Sequence, residues 1–564
     1  MSETARPGGI ALGLERITRF LSTVLPYDPR GKLRIVHVAG TNGKGSVCAL
    51  VSEALAAAGY RVGTFNSPHF LEPSDALRIR GTPIPAAEYD ALREWIRGLD
   101  AAAQPPNGPL SLFEQTTAAA FWWFAERSVD IAVVEVGMGG RRDATNVFGA
   151  ADGKGIGQSL VQCICPVDND HVGVIGSTVE EIAREKCGIM RPESWIIIAN
   201  QDRADAFHKI RQHALRTSPG RIINVRRQPS YDIHVPDFSI KQAAGECAPL
   251  RPPADLPSWS AFKGTGQRCL RLKYLPSLDT SGTSSSSSSP STAAAAQHAE
   301  GDASAAPGDK PARVEIDLPL VLPGYHQAGN ASVAFYALDV LRTNFGFTKL
   351  TDTAIQVGFQ NVRWPGRLSW LNLASRRMAH SGEPRPLSSD GRNSAEHDDS
   401  LANWLLADGA HNEPAAVELR KYVDTTLRRI AQQRSIRATR GRSNQGAPHV
   451  RWIIGFSKGK DMAAILGRLL QPGDAVWAVP FAQPKDMPWI ACEDPRAIGR
   501  TAGGPASCGE IAIESFDCLA AAVDRLAADA SDDRLNVVCG SLYLVADVFR
   551  ALEIQPFSQT TVPQ

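Results

Sequence analysis

VAGTNGKGSV, Val38–Val47, follows the apolar, β-branched run Leu33–Ala39 and precedes a helix-like stretch, Val47–Ala58. A glycine-bearing turn between a strand and a helix aims several backbone N–H groups at one point, and the helix dipole adds partial positive charge there. Lys44 supplies a full charge for phosphate oxygens, and Ser46 is placed to meet a Mg²⁺ ion. The usual phosphate loop, G-x-x-x-x-G-K-[ST], is not matched. Only two residues separate Gly40 from Gly43, and Ser46 comes one residue late because Gly45 intervenes. The segment is a phosphate loop of another pattern or a glycine turn without a ligand.

Outward from this stretch the pattern is α/β. Val129–Val136 and Ser159–Ile164 read as short buried strands, and Thr178–Cys187 as a helix opened by Ser177/Thr178 with Glu180/Glu181. Strands alternating with helices imply a mostly parallel sheet covered on both faces. After Trp364-Pro365-Gly366 the alternation resumes: Trp404–Ala407, Val450–Gly455, Ala475–Val479 and Leu535–Cys539 are strand candidates. The expected architecture is therefore a domain over 1–363 and a smaller α/β domain over 364–564. Three polar stretches, about 277–310, 375–400 and 432–447, carry too little apolar surface to offset their ordering entropy and are expected to be disordered insertions.

The 564 residues suffice for two or three domains. Lys plus Arg number 60 and Asp plus Glu 59. That balance gives no reason to expect nucleic acid or a membrane surface as partner. No run of 18 apolar residues and no secretory leader is evident. The ten cysteines form no C-x-x-C pair, so reduced core thiols in a cytoplasmic protein are expected, with a mitochondrial location left open.

Further blocks accompany the loop. They are Ser67-Pro68-His69; Glu135-Val136-Gly137-Met138-Gly139-Gly140-Arg141 with Asp143-Ala144-Thr145-Asn146; and Asp170-His171 with Ile182–Ile189. Gly324–Ala331, Trp364–Leu368, Asp408–Asn412 and Gly540–Tyr543 follow. In this order they resemble the folylpolyglutamate synthase/dihydrofolate synthase family of the Mur ligase superfamily, in which the two-residue gap is the normal form. The resemblance implies a Mur-ligase-like P-loop ATPase domain and a smaller Rossmann-like C-terminal domain. It implies ATP-dependent ligation of L-glutamate to a pterin carboxylate through an acyl phosphate. ATP would sit on Gly40, Thr41, Asn42, Gly43, Lys44, Gly45 and Ser46. Gln327, Asn330, Arg367, Asp408 and His411 would help to hold it, with Asn330 near the adenine. Ser67, Glu135, His171, Ser46 and a carbamylated Lys186 would hold two Mg²⁺ ions. Lys44, Lys186, His171 and Arg367 carry the catalytic roles.

Read from the residues alone, Glu135 ends an apolar strand before glycines, a suitable place for a hard oxygen ligand. Gln327 and Asn330 lie three apart, hence on one helix face. By resemblance, Asn42 stands where eukaryotic polyglutamate synthases have the lysine of G-T-K-G-K-G-S, and asparagine is the form of the bacterial enzymes and of fungal and plant dihydrofolate synthases. With the long Ser/Ala insertions, which look eukaryotic, it favours dihydropteroate as acceptor. Reduced folate, as in a folylpolyglutamate synthase or a bifunctional enzyme, is the alternative, and a non-catalytic nucleotide-binding scaffold is the alternative of another class. One departure stands near the pterin or metal region: the family's S-P-H-L-x-x-x-x-E-R-I reads here Ser67-Pro68-His69-Phe70, then Asp75-Ala76-Leu77, with Arg78 two residues beyond Ala76. No guanine-specifying N-K-x-D is found, and a monomer is expected.

Overall fold

The computed structural model describes residues 13–25, 33–103, 106–149, 156–170, 173–225, 233–234, 269–274, 314–373, 404–429, 431–432, 448–504, 511–528 and 534–557. The insertions expected at 277–310 and 375–400 lie outside these residues, as does 432–447 apart from Gln432.

The first sheet has eight strands: β1 (Arg34–Ala39), β2 (Val62–Phe65), β3 (Leu77–Ile79), β4 (Thr82–Pro83), β5 (Ile131–Glu135), β6 (Gln158–Ile164), β7 (Trp195–Ile198) and β8 (Ile222–Asn224). Their spatial order is β4-β3-β2-β5-β1-β6-β7-β8. From β2 to β8 every pairing is parallel; only the β2–β3 and β3–β4 pairs are antiparallel. β1 lies between β5 and β6, with Val38 opposite Glu135 and Ala39 opposite Ile164. The chain therefore leaves β1, β5 and β6 at one edge of the sheet, where open α/β sheets bind ligands.

Helices α1 (Glu15–Val24), α2 (Lys44–Ala57), α3 (Ala86–Ala102), α4 (Leu112–Glu126), α5 (Val179–Cys187) and α6 (Ala204–Thr217) accompany this sheet. α2 is apolar around most of its circumference, as a helix buried on all sides must be. It packs against the helices His326–Asn344 and Asp352–Asn361 in one hydrophobic cluster that includes Val47, Leu50, Val51, Phe335 and Phe359. Gly358 allows the closest approach, since a Cβ there would strike the Ala54 backbone. α5 begins as its sequence signals. Thr178 Oγ1 accepts from the Glu181 N–H (3.2 Å), and Glu181 accepts in return from the Ser177 N–H (2.7 Å).

A small antiparallel sheet combines β9 (Ile233–His234), β10 (Cys269–Tyr274) and β11 (Val314–Pro319). The last sheet comprises β12 (Ser369–Asn372), β13 (Trp404–Ala407), β14 (Val450–Ile454), β15 (Ala475–Ala478), β16 (Ala512–Ser515) and β17 (Leu535–Cys539), in the order β12-β13-β17-β14-β15-β16. It is parallel except at β12, which returns antiparallel on β13 directly after the Trp364–Leu368 turn. Hydrophobic clusters cover both faces, one centred on Trp452 and Leu406, the other on Leu405, Val538 and Leu544.

Candidate active site

The loop leaving β1 is shaped by contacts that glycine alone permits. Gly43 has φ +90 and meets the Asn330 side chain where a Cβ would stand; Gly45 meets the Trp364 ring in the same way. Gly40, at φ +151, lies against Cys165. Thr41 ties the loop to the segment after β6. Its N–H donates to Pro166 O (2.8 Å) and its hydroxyl to Asp168 O (3.1 Å). α2 starts at Lys44 on a left-handed Gly43. The expected strand, loop and helix are thus present, with the positive end of α2 at the loop.

Lys44 crosses to the neighbouring strand end. Its Nζ donates to Thr41 O (3.2 Å) and lies 3.9 Å from Glu135 Oε1. Asn66 donates to Glu135 Oε2 (2.8 Å). Burial pushes the Glu135 carboxyl upward, while Lys44, the Asn66 hydrogen bond, Arg367 and the Ser67 N–H pull it back down. A buried carboxylate so placed has need of positive charge, and Ser46, Ser67 and Glu135 are hard oxygen donors of the kind Mg²⁺ takes. Ser46 is buried at the start of α2, its hydroxyl accepting from Gln327 Nε2 (3.3 Å). His171 lies outside the described residues; among those described, no group of three or more His, Cys, Asp or Glu side chains gathers.

Lys186 is 3% exposed and donates from Nζ to Gly40 O (2.9 Å). Burial first, then the charge of Lys44, brings its pKa down to about 7. The Asp143–Asn146 block explains why α5 delivers this lysine here. Asp143 accepts from the Met138 N–H (2.7 Å) and the Thr145 hydroxyl (2.5 Å). Asn146 donates to Arg141 O and Gly188 O, both at 3.0 Å. These residues knit the glycine turn after β5 to the end of α5. Gly140 lets the turn lie directly on the Lys186 backbone.

Gln327 and Asn330 are on one helix face and bonded to each other, Asn330 Nδ2 to Gln327 Oε1 at 2.8 Å. Both face the phosphate loop, Gln327 at Ser46 and Asn330 at Gly43.

The last sheet reaches the same place. Asp408 leaves β13 with both oxygens engaged, accepting from the Leu368 N–H (2.9 Å) and the Ala410 N–H (2.8 Å). It fixes the turn that carries Arg367, whose guanidinium lies over Gly409. His411 Nδ1 donates to Gly409 O (2.8 Å). Burial and then Lys460 hold its pKa down to about 4, so the ring is neutral near pH 7, with Nε2 an acceptor. Asn412 Nδ2 donates to Asn42 Oδ1 (3.2 Å), and Lys460 Nζ lies 3.3 Å from Asp170 Oδ1.

Sequence reasoning did not single out Asn66, Trp364, Asn412 or Lys460. Asn66 stands beside a named motif, and Trp364 and Asn412 stand within motifs quoted above. Nothing local marks Lys460. The departure at Asp75 also has a structural account. Its carboxylate accepts from the N–H groups of Phe70 (2.8 Å), Leu71 (2.6 Å) and Glu72 (2.9 Å), a task for which the shorter side chain suffices. Arg78 is buried and donates to Asn66 Oδ1 and Asp75 O, so it braces the Glu135 partner from behind.

Residues 393–551 match the family model described as dihydrofolate synthetase, C-terminal domain. Over 546 residues the chain is 27% identical to a probable dihydrofolate synthetase of Schizosaccharomyces pombe, covering 97% of this chain and 99% of that one. It is likewise 27% identical to the dihydrofolate synthetase of Saccharomyces cerevisiae, over 96% of this chain and 98% of the other. In fold it is similar to E. coli FolC in complex with DHPP and ADP, with a TM-score of 0.62, 22% identity, and coverage of 98% and 95% of the two chains. The matched C-terminal span, the full-length likeness to two fungal dihydrofolate synthetases and the shared fold agree: the chain is similar to the folylpolyglutamate synthase/dihydrofolate synthase family.

Proposed function

We propose that the chain is a dihydrofolate synthase, an ATP-dependent ligase that joins L-glutamate to dihydropteroate. One observation carries the reading. Lys44 and Glu135 meet beside a phosphate-loop helix start, and Arg367, His411 and Lys460 approach the same place from a second sheet. We read the two sheets as domains divided near 363/364, with ATP held between them. The choice of dihydropteroate is supported by the full-length likeness to fungal dihydrofolate synthetases.

A carboxylate is a poor electrophile because oxide leaves badly. The acceptor's carboxylate oxygen attacks the γ-phosphorus, ADP departs, and an acyl phosphate forms. The glutamate amine then attacks the acyl carbon, loses a proton and expels phosphate. The loop N–H groups and Lys44 hold the phosphates, and Arg367 meets the charge of the transferring group. Ser46, Ser67 and Glu135 would hold a Mg²⁺ ion, which neutralises phosphate charge when bound. The low pKa of Lys186 leaves much of its amine neutral near pH 7. That is the form CO₂ carbamylates, and a carbamate there, with His171, would serve a second ion. Neutral His411 offers Nε2 as an acceptor to the incoming ammonium. Positioning of three reactants supplies several kcal/mol more, on the order of 7–11 for well-oriented groups.

The test is phosphate release with Mg²⁺, ATP and L-glutamate, with dihydropteroate in one reaction and tetrahydrofolate in another. Release with dihydropteroate alone is expected. Release with tetrahydrofolate alone would make the enzyme a polyglutamate synthase. Release with neither would leave a nucleotide-binding homologue.

A further inference from the structure

Beside the Glu135 centre lies a pocket open to solvent. Its lining includes Asn66 and Ser67, and Asn66 is the residue that holds Glu135. Phe65, Tyr89 and Phe113 line it from the first sheet and its helices. Asp486, Met487 and Trp489, from the segment after β15 of the other sheet, also line it. A substrate with its reacting carboxylate at Glu135 and Lys44 would therefore extend its far end among aromatic side chains supplied by both sheets.

That segment is held in place across the sheets. Asp486 pairs with Arg93 of α3, and Lys485 Nζ lies 2.5 Å from Glu72 Oε2, in the loop that Asp75 organises. Tyr543 donates from its hydroxyl to Met487 Sδ (3.3 Å). Asp486 has φ +59, a left-handed conformation that a non-glycine residue keeps where the surroundings impose it. Trp489 remains 38% exposed in the pocket lining. A large apolar ring left open to a pocket is suited to cover a flat aromatic ligand.

We propose that the loop from Pro484 to Ile490 is the acceptor-selecting wall of this enzyme: Trp489 and Met487 contact the pterin ring system, and the Arg93–Asp486 pair positions them over it. The inference rests on the reading of the acceptor given above. It makes Trp489 a substrate-contacting residue and Arg93 a positioning residue. It also makes acceptor binding dependent on the approach of the two sheets, because each supplies part of the lining.

Steady-state kinetics of Trp489→Ala, Trp489→Phe and Arg93→Gln test this. In Trp489→Ala the KM for dihydropteroate should rise at least about tenfold, the loss of one aromatic contact, with the KM values for ATP and glutamate within about twofold of wild type. Trp489→Phe should recover most of the loss. Arg93→Gln should raise the same KM with kcat nearly unchanged, the split expected of a positioning residue rather than of general damage. An unchanged dihydropteroate KM in Trp489→Ala, or equal increases in all three KM values, overturns the proposal. If Trp489→Ala does not fold, Arg93→Gln decides by the same criterion. If the wild type uses only tetrahydrofolate, the acceptor reading has failed. The same variants assayed with tetrahydrofolate then decide the loop's role: a raised KM sustains the wall, an unchanged one removes it.

Discussion

Replacing Lys44 by Met removes the cation 3.9 Å from Glu135 and keeps much of the side-chain volume. At an effective dielectric of about 20, a pair at this separation interacts by roughly 4 kcal/mol. Lys44 is 17% exposed and Glu135 8%, so water screens part of this. The variant also has an escape. Burial already pushes the Glu135 carboxyl upward, and without Lys44 it moves further up and takes a proton. The expected cost is therefore about 1–3 kcal/mol near pH 8, less than the 3–5 of a pair that cannot relax. The sign with pH follows. A carboxyl whose folded pKa is raised favours the fold at low pH, and that advantage is lost as pH rises through the folded pKa. Since the variant raises it further, its deficit against wild type should be small near pH 5 and grow toward pH 8. Urea unfolding across that range measures it. Lys44→Met combined with Glu135→Gln removes the stranded charge and should recover most of the stability while leaving ligation abolished. If the single and double variants are equally unstable at pH 8, the two side chains are not coupled and the reasoning fails.

Lys186→Met should stabilise the protein most below about pH 7, where wild type buries a charged amine. The benefit should fade between about 7 and 10.5, because in that window the unfolded chain binds more protons than the fold and wild-type stability rises with pH. The gap between those values sets an upper limit of roughly 5 kcal/mol, reduced by the lost hydrogen bond to Gly40 O. Asp75→Ala strands three amide donors and should cost about 3 kcal/mol in chemical unfolding, with Asp75→Glu recovering part. Gly45→Ala drives a methyl group into the Trp364 ring. It should cost about 1–3 kcal/mol of stability and raise the KM for ATP, as displacement of Trp364 carries Arg367 with it.

Much of this was legible in the chain because the chemistry is written in short contiguous blocks. The strand Leu33–Ala39, the glycines after it and the capped helix at Thr178 each declare themselves locally, and β13 and β17 were read to their ends. The antiparallel β12 was not, and neither was the hairpin β3–β4, whose strands of three and two residues carry too few positions to show a period. In the site, the roles of Glu135 and Lys44 were suggested by position alone. The block Asp143–Asn146, read in the sequence only as part of a motif, ties the turn after β5 to α5. The pairs that join the sheets, Asn42 with Asn412, Asp170 with Lys460 and Arg93 with Asp486, were invisible. Each brings together residues hundreds of positions apart, and an isolated lysine or aspartate carries no sign of its partner.

The most direct measurement is mass spectrometry of the product formed from dihydropteroate, ¹⁵N-labelled L-glutamate and Mg-ATP, with Lys44→Met as the control. A single labelled glutamyl group on dihydropteroate, absent with the variant, is the result expected of a dihydrofolate synthase built on this loop. No labelled product from dihydropteroate, or the same product from Lys44→Met, would contradict it.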